Sequence, residues 1–177
     1  MRRSSQVLQA AVGCAVLATA LSASPASAAR VSVTDSHGNA PAQSDIHKAT
    51  FAYTSNFVAA KVTIDDLDPS GIVALKIAEE GQGGPDARGI VTVKATKREG
   101  SKPKVRVSYW REIGVGMDCP DTQVDWSQPT DTVSFKVSMD CLKEYFSGAP
   151  KTHTWATASN LSGGGRDRTR EVTVRKN

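Results

Sequence analysis

The sequence predicts an all-β chain, folded as a two-layer antiparallel β-sandwich of about eight short strands. Three observations predict it. Val, Ile, Thr and aromatic residues alternate with polar ones at period two. Clusters of Gly, Pro, Asn and Asp interrupt that alternation at the short intervals of a sandwich. Beyond residue 28, no stretch carries the 3.6-residue apolar period of an amphipathic helix.

Taken in order, Phe51 and Tyr53 share one face of the first clear strand, and Ser55-Asn56 supplies a turn. Val58, Ala60, Val62 and Ile64 then alternate with Ala59, Lys61, Thr63 and Asp65, the pattern of a strand with one buried side. Val73, Leu75 and Ile77 form the next run, which ends in 79–88, where Gly81-Gln82-Gly83-Gly84-Pro85 holds no regular element. Val91, Val93 and Ala95 alternate with Thr92, Lys94 and Thr96. Val105, Val107 and Tyr109 resume the alternation after the polar 97–103, so these two runs are expected to pair antiparallel. Val133, Phe135, Val137 and Met139 lead into Cys141, and one short helical turn is expected within 142–150. A strand holding Trp155, a loop at Ser162-Gly163-Gly164-Gly165 and a strand with Val172 and Val174 complete the series.

The first 28 residues read as a secretory signal peptide. Arg2 and Arg3 precede an apolar stretch over 7–21, and Ala26-Ser27-Ala28 forms an A-x-A cleavage step that would leave Ala29 first. Gln9, Gly13 and Thr19 interrupt the apolar stretch, which is shorter than the ~20 residues of a bilayer span, so no membrane anchor is expected after cleavage. The remaining 149 residues, 29–177, suit a single secreted, extracellular domain. Cleavage also removes Cys14 and leaves an even pair, Cys119 and Cys141, for which an oxidising compartment favours a disulfide.

Without the two leader arginines, 20 basic residues stand against 18 acidic ones. The basic residues are dispersed along the chain, without the interleaved aromatics of a nucleic-acid surface, so no nucleic-acid partner is expected. The densest basic run, Arg166, Arg168, Arg170, Arg175 and Lys176, is broken by Asp167 and Glu171 and reads as a solvated terminal strand.

Several stretches carry a resemblance: Asp118-Cys119-Pro120, Asp131-Thr132-Val133-Ser134-Phe135-Lys136-Val137, Asp140-Cys141-Leu142, Gly148-Ala149-Pro150 and the Trp155 strand, together with the earlier Asp45-Ile46, Tyr53-Thr54-Ser55-Asn56 and Val62-Thr63-Ile64-Asp65-Asp66-Leu67. The chain resembles small secreted, disulfide-containing β-sandwich proteins of actinobacteria, which are distantly similar to secreted carbohydrate-binding and haem-binding sandwich domains. The resemblance implies a compact sandwich and supplies no site.

Chemistry-bearing residues are few. His37, His47 and His153 accompany many serines, but no G-x-S-x-G elbow marks a nucleophile, and no histidine stands at ligand spacing from the cysteines. No catalytic residue, metal site or cofactor is therefore expected, and His37 reads as a solvated loop residue. Asp65, Asp66 and Asp68, before Pro69-Ser70-Gly71, offer the oxygens calcium takes but equally make an acidic turn. Trp110, Trp126 and Trp155 are the candidate ligand-stacking residues, because flat ligands stack on exposed indoles. Trp110 stands opposite the core side of its strand, where Val105, Val107 and Tyr109 point. The expected function is a non-catalytic extracellular binding or interaction domain with a cell-wall or polysaccharide ligand. The alternative is a small secreted hydrolase whose site assembles only in three dimensions.

Overall fold

Strands with one apolar side leave each sheet one face to cover, and two such sheets cover each other. In the computed structural model, the described residues are 29–79, 89–110, 114–146 and 150–177. The leader with Arg2, Arg3, Cys14, Ala26 and Ala28, the glycine-rich part of 79–88, and Gly148-Ala149 lie outside them.

The strands are β1 (Arg30–Thr34), β2 (Ile46–Tyr53), β3 (Phe57–Ile64), β4 (Gly71–Glu79), β5 (Ile90–Lys97), β6 (Lys104–Trp110), β7 (Gly114–Met117), β8 (Gln123–Ser127), β9 (Thr132–Ser138), β10 (Lys151–Ser159), β11 (Asp167–Arg168) and β12 (Val172–Arg175). One sheet runs β1-β2-β3-β9-β8. The other runs β11-β10-β4-β5-β6-β7, with β12 also on β10. Every pairing among these strands is antiparallel. The architecture is the expected two-layer sandwich, and the β5–β6 hairpin forms as the alternation predicts.

The strand count is higher than the expected eight, because short strands at sheet edges carry too little alternation to show. Asp125-Trp126-Ser127 reads as a loop, yet it lies in β8 and pairs with β9. The helical turn also starts earlier than expected. α1 spans Met139–Leu142, and Ser138 caps it by accepting a hydrogen bond from the Asp140 amide.

Between the sheets, Phe51, Tyr53, Val62 and Phe135 meet Leu75, Ile77, Val93 and Ala156, all at most 2% exposed. Leu142 and Phe146 close one end, where Tyr109 of β6 packs on Tyr145 with ring centroids 4.6 Å apart. The chain changes sheet after β3, after β7 and after β9. Cys119 lies in the second of these connections and Cys141 in α1 at the third, at disulfide distance with Cα atoms 5.5 Å apart. A bond there ties two crossovers together.

Candidate functional site

Register decides which outward side chains become neighbours. On the seven-stranded sheet, Val73, Leu75 and Ile77 of β4, Val91, Val93 and Ala95 of β5 and Val107 of β6 are buried, so the intervening residues point away from the core. Across the sheet, Arg168 pairs with Thr157, Thr157 with Ala74, Ala74 with Lys94, and Lys94 with Arg106. In the next row Trp155 pairs with Lys76, Lys76 with Thr92, and Thr92 with Ser108. Flanking rows add Lys104 opposite Thr96 and Trp110 opposite Ile90.

The outward positions of these strands thus bring together Lys76, Lys94, Lys104, Arg106 and Arg168 and include no Asp or Glu. Register thus sets side by side, on one face, several basic residues that are far apart along the chain. Arg168, read from the sequence as part of a solvated terminal strand, is part of that face. Among the described residues, acids stand at its edges: Asp167 lines one of its depressions from an inward position of β11, and Glu171 lies 3.1 Å from His153 and 3.9 Å from Arg168.

Small neighbours such as Ala74, Thr92, Ser108 and Gly114 leave room between the long cations. Three adjoining depressions of about 550, 490 and 490 Å³ run across the face and share Lys76, Lys94 and Arg106 among their walls. Lys94 directly opposite Arg106 is a like-charge cross-strand pair, which is unfavourable for the sheet. For scale, two like unit charges about 6 Å apart in a water-like medium repel by on the order of 0.7 kcal/mol. Partial burial pushes the Lys76 ammonium below its usual pKa, and the charges of Arg168 and Lys94 push it the same way. Its Nζ donates to Thr92 Oγ1 at 2.9 Å.

The three tryptophans have different surroundings. Trp110 is 54% exposed at the margin of this face, beside Gly114, where an added Cβ would come within 3.1 Å of the indole. Trp126 is half-buried on the core side of β8, and its indole N–H donates to the Asp68 carbonyl at 3.1 Å. Trp155 is outward-facing yet only 4% exposed, because the Arg168 guanidinium lies over its ring at 4.9 Å. Of the three ligand-stacking candidates, Trp155 is covered and Trp126 half-buried, while Trp110 offers an open ring.

The histidines are also distributed unevenly. His153 pairs with Glu171 at the β10–β12 edge. His37 is exposed but not merely solvated, as the sequence suggests. Its Nδ1 lies 2.8 Å from Asp65 Oδ2, and its ring stacks on that of His47 with centroids 4.2 Å apart. The hydrogen bond to Asp65, and then that carboxylate's charge, hold the His37 pKa above its usual 6.5. Asp66 and Asp68 are exposed in the turn between β3 and β4, where the Leu67 amide donates to Asp131 Oδ1 at 3.1 Å. Among the described residues, no Ser, Thr or Cys side chain is hydrogen-bonded to any of the three imidazoles.

No protein-family model matches the chain, and a search of curated proteins finds no match to it. The site is therefore read from its own chemistry. Sequence reasoning missed the cationic rows, whose signal was present in the outward positions of successive strands but needed register to assemble.

Proposed function

We propose that the protein is a non-catalytic, extracellular binding domain that holds an anionic polysaccharide on the outer face of its seven-stranded sheet. One observation carries the reading: Lys94 stands directly opposite Arg106, flanked by Lys76 and Lys104, with no acid at an outward strand position among the described residues. A carboxylate placed among these cations turns a repulsion into several attractions, so the arrangement that weakens the free sheet strengthens the complex. The exposed Trp110 ring offers a sugar a flat apolar surface at the edge of the same trough. A single exposed indole suits a sugar chain better than a nucleic acid, which draws on several aromatic faces in succession. The leader-like 1–28 and the near balance of charge in the rest support an exported protein that does not cling to polyanions indiscriminately.

The test is retention of the purified protein on immobilised polygalacturonate, with dextran as the neutral control and single-stranded DNA as a competitor. The reading expects retention on polygalacturonate alone. Release should follow at about 1 M NaCl, where screening acts over only ~3 Å. Equal retention on dextran, or displacement by DNA at lower concentration than by free oligogalacturonate, would contradict it.

A further inference from the structure

Three donor side chains meet where β1 ends, β2 begins and β3 ends. His37 sits in the loop after β1, His47 lies in β2, and Asp65 follows β3. One ligand atom from each lies within 4.8 Å of the others. We propose that His37, His47 and Asp65 form a binding site for a divalent transition-metal ion that favours imidazole, Zn2+ or Cu2+.

The backbone explains why these groups meet. Pairing of β2 with β3 shifts register between Ile46 and Lys48, so His47 is the extra residue of a bulge. Bulges re-aim a side chain out of the regular alternation. Here Ile46 stays buried and Lys48 exposed, while the His47 ring is left to lie against His37. The loop that carries His37 is tied back at both ends of its turn. The Asp35 amide donates to the His47 carbonyl at 3.0 Å, and the Gly38 amide donates to Asp45 Oδ2. Asp65 is held to the same strand, its amide donating to the Asp45 carbonyl at 3.0 Å. All three donors are therefore anchored around Asp45 before any ion arrives.

Two polar atoms at this locus have no partner. Nδ1 of His47 is buried without a hydrogen bond, and so is Oδ1 of Asp45, a residue only 1% exposed. A buried polar group without a partner is costly, and an imidazole nitrogen in that position is available to a metal ion. Two imidazoles and one carboxylate are the donor set of zinc sites that keep a fourth position open, and imidazole also suits copper. Metal–ligand bonds near 2.0–2.2 Å place donors about 3.3 Å apart in a tetrahedron. The 2.8 Å contact between His37 and Asp65 then opens by about half an ångström as the His47 donor closes in. The site shares no residue with the cationic face, so either reading can fail without the other.

Titration of the purified protein with ZnCl2, read by metal bound after desalting and by long-range 1H–15N spectra of the imidazoles, tests the site. One ion per chain is expected, with the ring resonances of His37 and His47 shifting and those of His153 unmoved. CuCl2 in the same site should give an electron paramagnetic resonance signal split by two nitrogens. Asp65→Asn and His37→Gln, both at exposed positions that should still fold, are expected to weaken Zn2+ binding at least about tenfold. His153→Ala should leave it unchanged. Absence of stoichiometric uptake, a shift of His153 in place of the other two, or full binding by Asp65→Asn would overturn the proposal.

Discussion

The two outer faces of the sandwich both carry cations, arranged differently. On the five-stranded sheet, Arg30, Lys48, Lys61 and Lys136 point outward, but pairing sets each against a small or hydroxyl neighbour. Arg30 faces Ala52, Lys48 faces Thr34 and Thr63, Lys61 faces Thr50 and Ser134, and Lys136 faces Ala59 and Gln123. That face also includes Asp125, opposite Ser134, and Lys136 rests over the Phe57 ring at 4.9 Å. On the seven-stranded sheet, Lys94 meets Arg106 head on, and among the described residues no acid stands at an outward strand position. The faces differ in charge, and register decides how those charges are set against one another. A sheet that tolerates like charges opposite one another keeps an arrangement that its own folding disfavours.

The largest effect expected is on stability, and it separates two tryptophans of the seven-stranded sheet. Trp155→Ala removes a buried ring and should cost about 3–5 kcal/mol in chemical denaturation. Trp110→Ala makes no cavity and should cost less than about 0.5 kcal/mol. If Trp110→Ala were the more damaging of the two, the open ring would be a core residue and the trough would lose its apolar edge.

Next in size is the cysteine pair, which serves both sheets. Closing a loop of 22 residues between Cys119 and Cys141 stabilises by about 3 kcal/mol on the chain-entropy account. The double variant Cys119→Ala, Cys141→Ala should lose that much in a denaturant titration. It should still bind polygalacturonate at low temperature, since neither residue holds an outward position on β4, β5 or β6. Loss of binding while the fold persists would mean that the β7–β8 connection takes part in holding the ligand.

A smaller effect separates the faces themselves. Lys94→Ala with Arg106→Ala should weaken polygalacturonate binding at least about tenfold, or ~1.4 kcal/mol. Lys61→Ala with Lys136→Ala removes the same charge from the five-stranded face and should change binding much less. Isothermal titration of the two pairs side by side reads the difference, and equal losses would reduce the account to net charge.

The smallest concerns Lys76 and pH. Its folded-state pKa lies below the usual lysine value of 10.5, chiefly because partial burial disfavours the ammonium. Between that lowered value and 10.5 the unfolded chain binds more protons than the folded one, so this group makes stability rise with pH there. At neutral pH the charged lysine carries its full penalty. Lys76→Met should therefore be more stable than the parent at pH 7, by less than about 1 kcal/mol, and the advantage should shrink toward pH 10. Thermal melts across that range check it, and an advantage that grew with pH would give the wrong sign.

The layered fold was legible because runs such as Val58-Ala59-Ala60-Lys61-Val62 state their buried side directly, and the sequence needs no partner to say so. The facing of Trp110 against Tyr109 followed from the same period. Trp126 was not legible, since a strand edge written Asp125-Trp126-Ser127 uses the residues of a turn. The burial of Trp155 was hidden for another reason: its cover, Arg168, comes from a two-residue strand that no periodicity reveals. The opposition of Lys94 and Arg106 lies one step beyond alternation, because it depends on the length of the 97–103 hairpin connection. His37, His47 and Asp65 lie further still, joined by a bulge and by loop hydrogen bonds that leave no regular trace in the sequence.

Backbone 1H–15N shift mapping during titration with oligogalacturonate tests the central claim most directly. The account predicts that the largest shifts fall on Lys76, Thr92, Lys94, Arg106, Ser108 and Trp110, in rows that cross β4, β5 and β6. Shifts centred on Thr50, Lys61 and Ser134 of the five-stranded sheet, or no localised shifts at saturating ligand, would contradict it.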